Sequence, residues 1–252
     1  MPRFALELEY DGSGFVGWQR QRVGVSVQAV LEQAASRLVG GAAVVSVAAG
    51  RTDAGVHAEA MVVQLDLDRA IAPGSLRDAL NFHMRPHAVA VLRAASAPPG
   101  WNARFSAVGR AYRYRILNRD ARPVLDGRRV WHVREALDAD AMHQAARFLV
   151  GQHDFTSFRA KSCQARSPVR TLDALEVVRQ DTVVEITVAA RSFLHHQVRN
   201  IAGTLKLVGT GRWPLARVAE ALAARRRDAA GPTAPPQGLC LTGVTYPVAI
   251  FT

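Results

Sequence analysis

Phe4, Leu6, Leu8 and Tyr10 alternate with Ala5, Glu7 and Glu9, a period of two that predicts a strand with one apolar and one wet face. Such alternation belongs to antiparallel sheets, since parallel strands are buried on both sides. Val27, Val30, Leu31, Ala34 and Leu38 then recur at helical spacing up to Gly40-Gly41, which predicts an amphipathic helix. Val44 to Ala48 and Met61 to Leu67 read as further strands, and Pro73-Gly74-Ser75 opens a short helix. Strand, helix and paired strands make one α/β half.

The second half repeats the rhythm. Tyr112, Tyr114 and Ile116 share one strand face, with Arg113 and Arg115 on the other. Asp138 or Asp140 caps a helix carrying Met142, Ala145, Ala146 and Leu149, which stops at Gly151. Strands follow at Leu172 to Arg179 and Thr182 to Ala190, then a helix with Val198, Ile201, Ala202, Leu205 and Val208 on one side. A last helix, Leu215 to Arg227, runs into the Pro-rich stretch Pro232 to Gly238, which cannot be central sheet. The expectation is an α+β chain of two similar α/β subdomains, 1–104 and 105–252, with mostly antiparallel sheets. The linker is placed at Ala95 to Gly109, where Pro98-Pro99-Gly100 breaks regular structure.

At 252 residues, with 49% hydrophobic and 21% charged positions, the chain is long enough to bury a core without disulfides or a structural metal. Cys163 and Cys240 lie far apart with no CxxC spacing, which fits a reducing compartment. The N-terminal stretch has no apolar signal core and no apolar run is long enough to span a bilayer, so a cytoplasmic location is expected. Lys plus Arg total 32 against 21 Asp plus Glu, a net charge of +11, and the sequence pI is about 11.0. That excess, carried mostly by arginine, favours a polyanion as partner, because a guanidinium forks onto phosphate and stacks on bases.

Gly12, Gly14 and Gly17 satisfy GxGxxG after a strand. The context of a dinucleotide-binding loop is missing, because that strand alternates and Gly17 opens onto Trp18-Gln19-Arg20-Gln21-Arg22 instead of an apolar-striped helix. A glycine-rich turn, or a loop touching RNA, remains. The run Gly50-Arg51-Thr52-Asp53-Ala54-Gly55-Val56-His57 is different, since it places a carboxylate between glycines at a strand end, where loops carry function. Taken alone it reads first as an Asp in a turn paired to Arg.

This run resembles the signature of the TruA family of pseudouridine synthases. Glu9-Tyr10-Asp11-Gly12 with Gly17-Trp18-Gln19-Arg20-Gln21 is similar to the family's N-terminal strand and loop. Arg104-Phe105-Ser106 with Arg110-Ala111-Tyr112-Arg113-Tyr114 is similar to its tyrosine-bearing segment, and Phe193-Leu194-His195-His196-Gln197-Val198-Arg199-Asn200 to its third motif. Asp154-Phe155-Thr156-Ser157-Phe158 and Gly238-Leu239 also fit, and Leu194 and Gln197 are conservative departures.

The resemblance implies the pseudouridine synthase fold, with two subdomains joined across a basic central cleft, and isomerisation of uridine at positions 38, 39 and 40 in the anticodon stem-loop of tRNA by a homodimer. It implies Asp53 as the reacting carboxylate, Arg199 as the cation that keeps it ionised, and Tyr112 as the surface on which the base stacks, leaving Tyr114 in the core. Arg51 and His57 are further substrate-binding candidates, and Arg20, Arg22, Arg110 and Arg166 are candidates for RNA contact. The chemistry involves no net redox change or water, so no cofactor is expected. His57, His195 and His196 lack a HExxH-like spacing, so no metal is expected either. A synthase with another RNA target, a silent RNA-binding relative, and an N-glycoside hydrolase are the rival readings.

Overall fold

The computed structural model describes residues 1–251. The chain divides into two compact units, one of Met1–Gly109 with the segment from Leu241 onward, the other of Arg110–Cys240. The division falls a few residues beyond the expected 104/105 boundary, and the C-terminal segment returns to the first unit.

In the first unit, β1 (Arg3–Tyr10) is followed by α1 (Val27–Leu38), β2 (Ser46–Ala48), β3 (His57–Asp66), α2 (Pro73–His83) and β4 (Val89–Ser96). The central strand is β1, antiparallel to β3 on one side and to β4 on the other, with Leu6 opposite Val63 and Ala94. Ser26 starts α1 because its Oγ accepts from the Ala29 N–H at 3.2 Å, a cap worth about 1 kcal/mol. The strand expected from Val44 begins only at Ser46, whose N–H and hydroxyl both donate to Glu32 at 2.8 and 2.9 Å. That buried carboxylate also accepts from Gln28 at 2.9 Å and pairs with Arg20, so it ties α1 to the strand that leads into the Gly50–His57 run.

The β1 face expected to be wet is partly covered. Ala5, Ala49 and Val62 pack with Trp101 and Ala103, and Val244, Tyr246, Ile250 and Phe251 lie against them. The stretch expected as a linker is therefore core at Trp101 and Ala103, and the Tyr246 hydroxyl donates to the Ala103 carbonyl at 2.6 Å. Burying these apolar side chains against Ala5 is favourable, while Glu7 on the same strand face is bound to Arg93 at 2.6 Å.

The second unit carries β5 (Gly109–Asn118, its first residue closing the first unit), β6 (Trp131–Val133), α3 (Ala139–Ala146), β7 (Gly151–Asp154), β8 (Val169–Gln180), β9 (Val183–Ala190), α4 (Gln197–Gly209) and α5 (Ala216–Ala223). Its antiparallel order is β5-β9-β8-β7, with the short β6 parallel to β5. Asp138, not Asp140, caps α3 by accepting from the Ala141 N–H at 2.9 Å. The helix expected over 215–227 ends at Ala223, because Arg225 turns left-handed at φ 51°. The final strand, β10 (Leu239–Thr245), extends the first unit's sheet beside β3 from Leu241 on.

Candidate active site

Asp53 sits partly buried in the loop between β2 and β3, and the glycine-rich turn after β1 is built to hold that loop. The Tyr10 hydroxyl and Thr52 Oγ1 lie 2.8 Å apart in the interior. Trp18 N–H donates to the Thr52 carbonyl at 3.0 Å, and Val56 N–H to the Asp53 carbonyl at 3.1 Å. A Cβ on Gly12 would stand 2.1 Å from the Val56 carbonyl oxygen, and one on Gly17 2.7 Å from that of Thr52. These two glycines of the GxGxxG pattern therefore allow backbone to touch backbone. Asp11 caps the short 3-10 turn Gly12–Gly14, and no helix opens after Gly17.

His57 is buried, and its Nδ1 accepts the Gly12 N–H at 3.0 Å, with Asp11 Oδ1 3.3 Å away. An acceptor at Nδ1 puts the proton on Nε2, which has no hydrogen-bond partner. His57, expected among substrate contacts, braces the two loops, its ring turned inward at the start of β3. Arg51 is exposed and forms no hydrogen bond or ion pair among the described residues, so it keeps the freedom a nucleic-acid contact needs. Arg22 is likewise exposed, whereas Arg20 engages Glu32.

Because the Tyr10–Thr52 contact is one buried hydrogen bond, Tyr10→Phe is expected to cost about 1 kcal/mol. Thermal unfolding should read this as a Tm lower by about 2–4 °C, and an unchanged Tm would remove the brace assigned to Tyr10.

In the second unit, Tyr112 is partly buried on β5 and meets Phe193 edge to face, with ring centroids 5.2 Å apart. Two of the sequence motifs thus meet in one aromatic pair. Tyr114, two residues on, is fully buried, and its hydroxyl donates to the Pro235 carbonyl at 2.8 Å. Burial pushes the Tyr114 phenol up and nearby Arg199 opposes this only in part, so it stays neutral. Arg110 donates to the Arg191 carbonyl at 2.6 Å, and Arg166 is exposed.

Arg199 lies in the first turn of α4, where its Nε donates to the Ala234 carbonyl at 2.8 Å. Ala234 N–H returns a bond to the Arg199 carbonyl at 3.1 Å. The segment bearing Ala234 is itself clamped. Asn200 Oδ1 accepts from Thr233 at 2.6 Å and from Arg227 at 3.0 Å, and Arg227 also donates to the Gly231 carbonyl at 2.8 Å. A Cβ on Gly203 would meet the Pro232 carbonyl oxygen at 1.8 Å. Asn200, Gly203, Arg227 and Thr233 thus hold Arg199 in place, a role that sequence reading does not reveal, because the partners are brought together from positions 27 and 33 residues apart.

The first unit carries a braced carboxylate loop, and the second an aromatic pair and an anchored guanidinium. Comparison with known proteins agrees with their motifs. The family model PseudoU_synth_1, described as tRNA pseudouridine synthase, matches residues 8–106 and 145–247. Asp53 and Arg199 fall inside the matched segments and Tyr112 between them. A protein of Acidiphilium cryptum named tRNA pseudouridine synthase A is 66% identical over 100% of this chain and 99% of its own. Proteins of the same name from Gluconobacter oxydans and Rhodospirillum centenum are 56% and 59% identical, covering 97% and 98% of this chain and 90% and 100% of theirs. Among solved structures, a chain of a Cbf5-Nop10-Gar1 complex aligns over 94% of this chain and 48% of its own, at 11% identity and a TM-score of 0.39, a likeness too low to carry an argument.

Proposed function

The chain belongs to the tRNA pseudouridine synthase family, and from that premise we propose that it isomerises uridine to pseudouridine in the anticodon stem-loop of tRNA, at positions 38, 39 and 40. The observation that carries the reading is the Gly50–His57 run itself, whose acid is kept in the loop between β2 and β3 by a glycine turn packed backbone to backbone against that loop.

The reaction breaks the N1–C1′ bond, turns the uracil, and joins C5 to C1′, after which the C5 hydrogen leaves as a proton and the freed N1 takes one up, so that product and substrate are isomers. Atoms and electrons balance without a cofactor. Asp53 supplies the carboxylate, either as nucleophile or as base at the sugar. Arg199 is assigned the charge that keeps a carboxylate ionised when water is excluded, and its anchorage by Ala234 supports that use, since an immobilised guanidinium loses little freedom on engaging an anion. Tyr112 offers the flat surface for an extruded base. Arg51 and the exposed Arg22 and Arg166 are assigned to phosphate, and the chain is expected to act as a homodimer in the cytoplasm, where its tRNA substrates are. Among the described residues no helix is long and apolar enough to cross a membrane.

Incubation of unmodified tRNA with the protein, followed by position-specific mapping, tests the reading. Pseudouridine at 38 to 40 without free uracil is the expected result. Pseudouridine confined to other positions would assign a different RNA target, binding without conversion would make the chain a silent RNA binder, and free uracil would make it a hydrolase.

A further inference from the structure

Beside the first turn of α4 lies an open cavity of about 550 Å³ lined by Lys161, Ser162, His196, Arg227, Asp228 and Thr233, among others. Its charge balance is unusual. Arg227 is partly buried and donates to the carbonyls of Ala230 and Gly231, to Asn200 Oδ1 and to Thr233 Oγ1. All four partners are neutral. Burial disfavours the charged form of this guanidinium, yet a guanidinium keeps its proton, so the positive charge is held without a counter-ion among the described residues. Burying a charge in that way is costly until an anion approaches.

Lys161 at the rim is one of only two lysines in the chain. The other, Lys206, pairs with Glu135 at 2.6 Å, whereas Lys161 forms no hydrogen bond or ion pair among the described residues. The Ser162 hydroxyl is exposed, 3.4 Å from His195 Nδ1. One carboxylate lines the cavity, that of exposed Asp228, which pairs with Arg226 at 3.4 Å.

We propose that this cavity is a subsite for one phosphodiester of the substrate RNA backbone, with Arg227 as its fixed floor charge and Lys161 and Ser162 closing on the phosphate from the rim. A phosphate supplies both the missing counter-charge and acceptors for the rim donors. The subsite is coupled to the chemistry through Thr233, which touches Arg227 on one side and precedes Ala234, the anchor of Arg199, on the other. It rests on the reading that the substrate is tRNA.

The test is the salt dependence of tRNA binding. Lys161 is exposed and forms no hydrogen bond or ion pair among the described residues, so Lys161→Ala should leave Tm unchanged. It should weaken binding about fivefold and reduce the slope of log K against log salt by about 0.7 to 0.9, the value of one phosphate contact. Lys161→Glu should weaken binding further, Lys161→Arg should restore it, and Asp228→Asn should tighten it. Wild-type protein that makes pseudouridine while Lys161→Ala and Lys161→Glu bind with wild-type affinity and slope overturns the subsite alone. Wild-type protein that makes none overturns the substrate reading on which the subsite rests.

Discussion

Asp53→Asn is expected to lower turnover at saturating tRNA by at least about a thousandfold, the scale on which removal of a reacting group acts, while tRNA affinity stays within a few fold. The two quantities separate because affinity for RNA is carried mainly by cations on phosphate, and the amide is isosteric with the carboxylate. The loop should survive the change, since it is fixed by Tyr10 with Thr52, by the Trp18 and Val56 N–H groups, and by the close packing of Gly12 and Gly17. Single-turnover conversion and equilibrium binding on the same protein check it. A variant that converts uridine within tenfold of wild type would show that Asp53 is not the reacting group, whereas equal loss of binding and turnover would assign it to RNA contact.

Gly203→Ala is expected to produce the largest loss of stability among conservative changes in the second unit. Its methyl group would stand 1.8 Å from the Pro232 carbonyl oxygen and 3.2 Å from the Ala234 nitrogen, so either α4 or the 230–235 segment must move. Overpacking of this kind costs about 2–3 kcal/mol, or about 5–10 °C in Tm for a chain of this size. The same displacement shifts the Ala234 carbonyl that anchors Arg199, and a shift of about 1 Å at a positioning contact costs up to about a hundredfold in rate. Activity measured well below the Tm should therefore fall at least tenfold, by about the same logic. Gly74→Ala is the control, because nothing lies within 4 Å of a Cβ there and the residue is helical. Loss of Tm without loss of turnover in Gly203→Ala would show that Arg199 does not depend on this anchor.

What sequence reading reaches and misses follows from the range of the interactions concerned. The alternation of Phe4, Leu6, Leu8 and Tyr10, the α1 face of Val27, Val30, Leu31, Ala34 and Leu38, and the face shared by Tyr112 and Tyr114 are local patterns, and all appear in the fold. The strands without such a pattern escape it. In β4 only Val89 and Val91 are buried, as befits an edge; β6 and β7 have three and four residues; β10 pairs with a strand far away in sequence. The Gly50–His57 run is legible as a motif, yet the hydrogen bond that His57 accepts from the Gly12 N–H is not, because the two residues are 45 apart. The anchor of Arg199 is equally hidden, because Asn200, Arg227 and Thr233 are ordinary polar residues until the chain brings them together.

In the proposed reaction the chain isomerises uridine through Asp53, making a C5–C1′ bond without releasing the base. Transfer RNA carrying tritium at C5 of its uridines reads that bond directly, since joining C5 to C1′ expels the C5 hydrogen. Wild-type protein is expected to release one tritium for each pseudouridine formed, without free uracil, and Asp53→Asn to release none. Tritium release by Asp53→Asn at the wild-type rate, or release of labelled uracil by the wild type, would contradict that reaction.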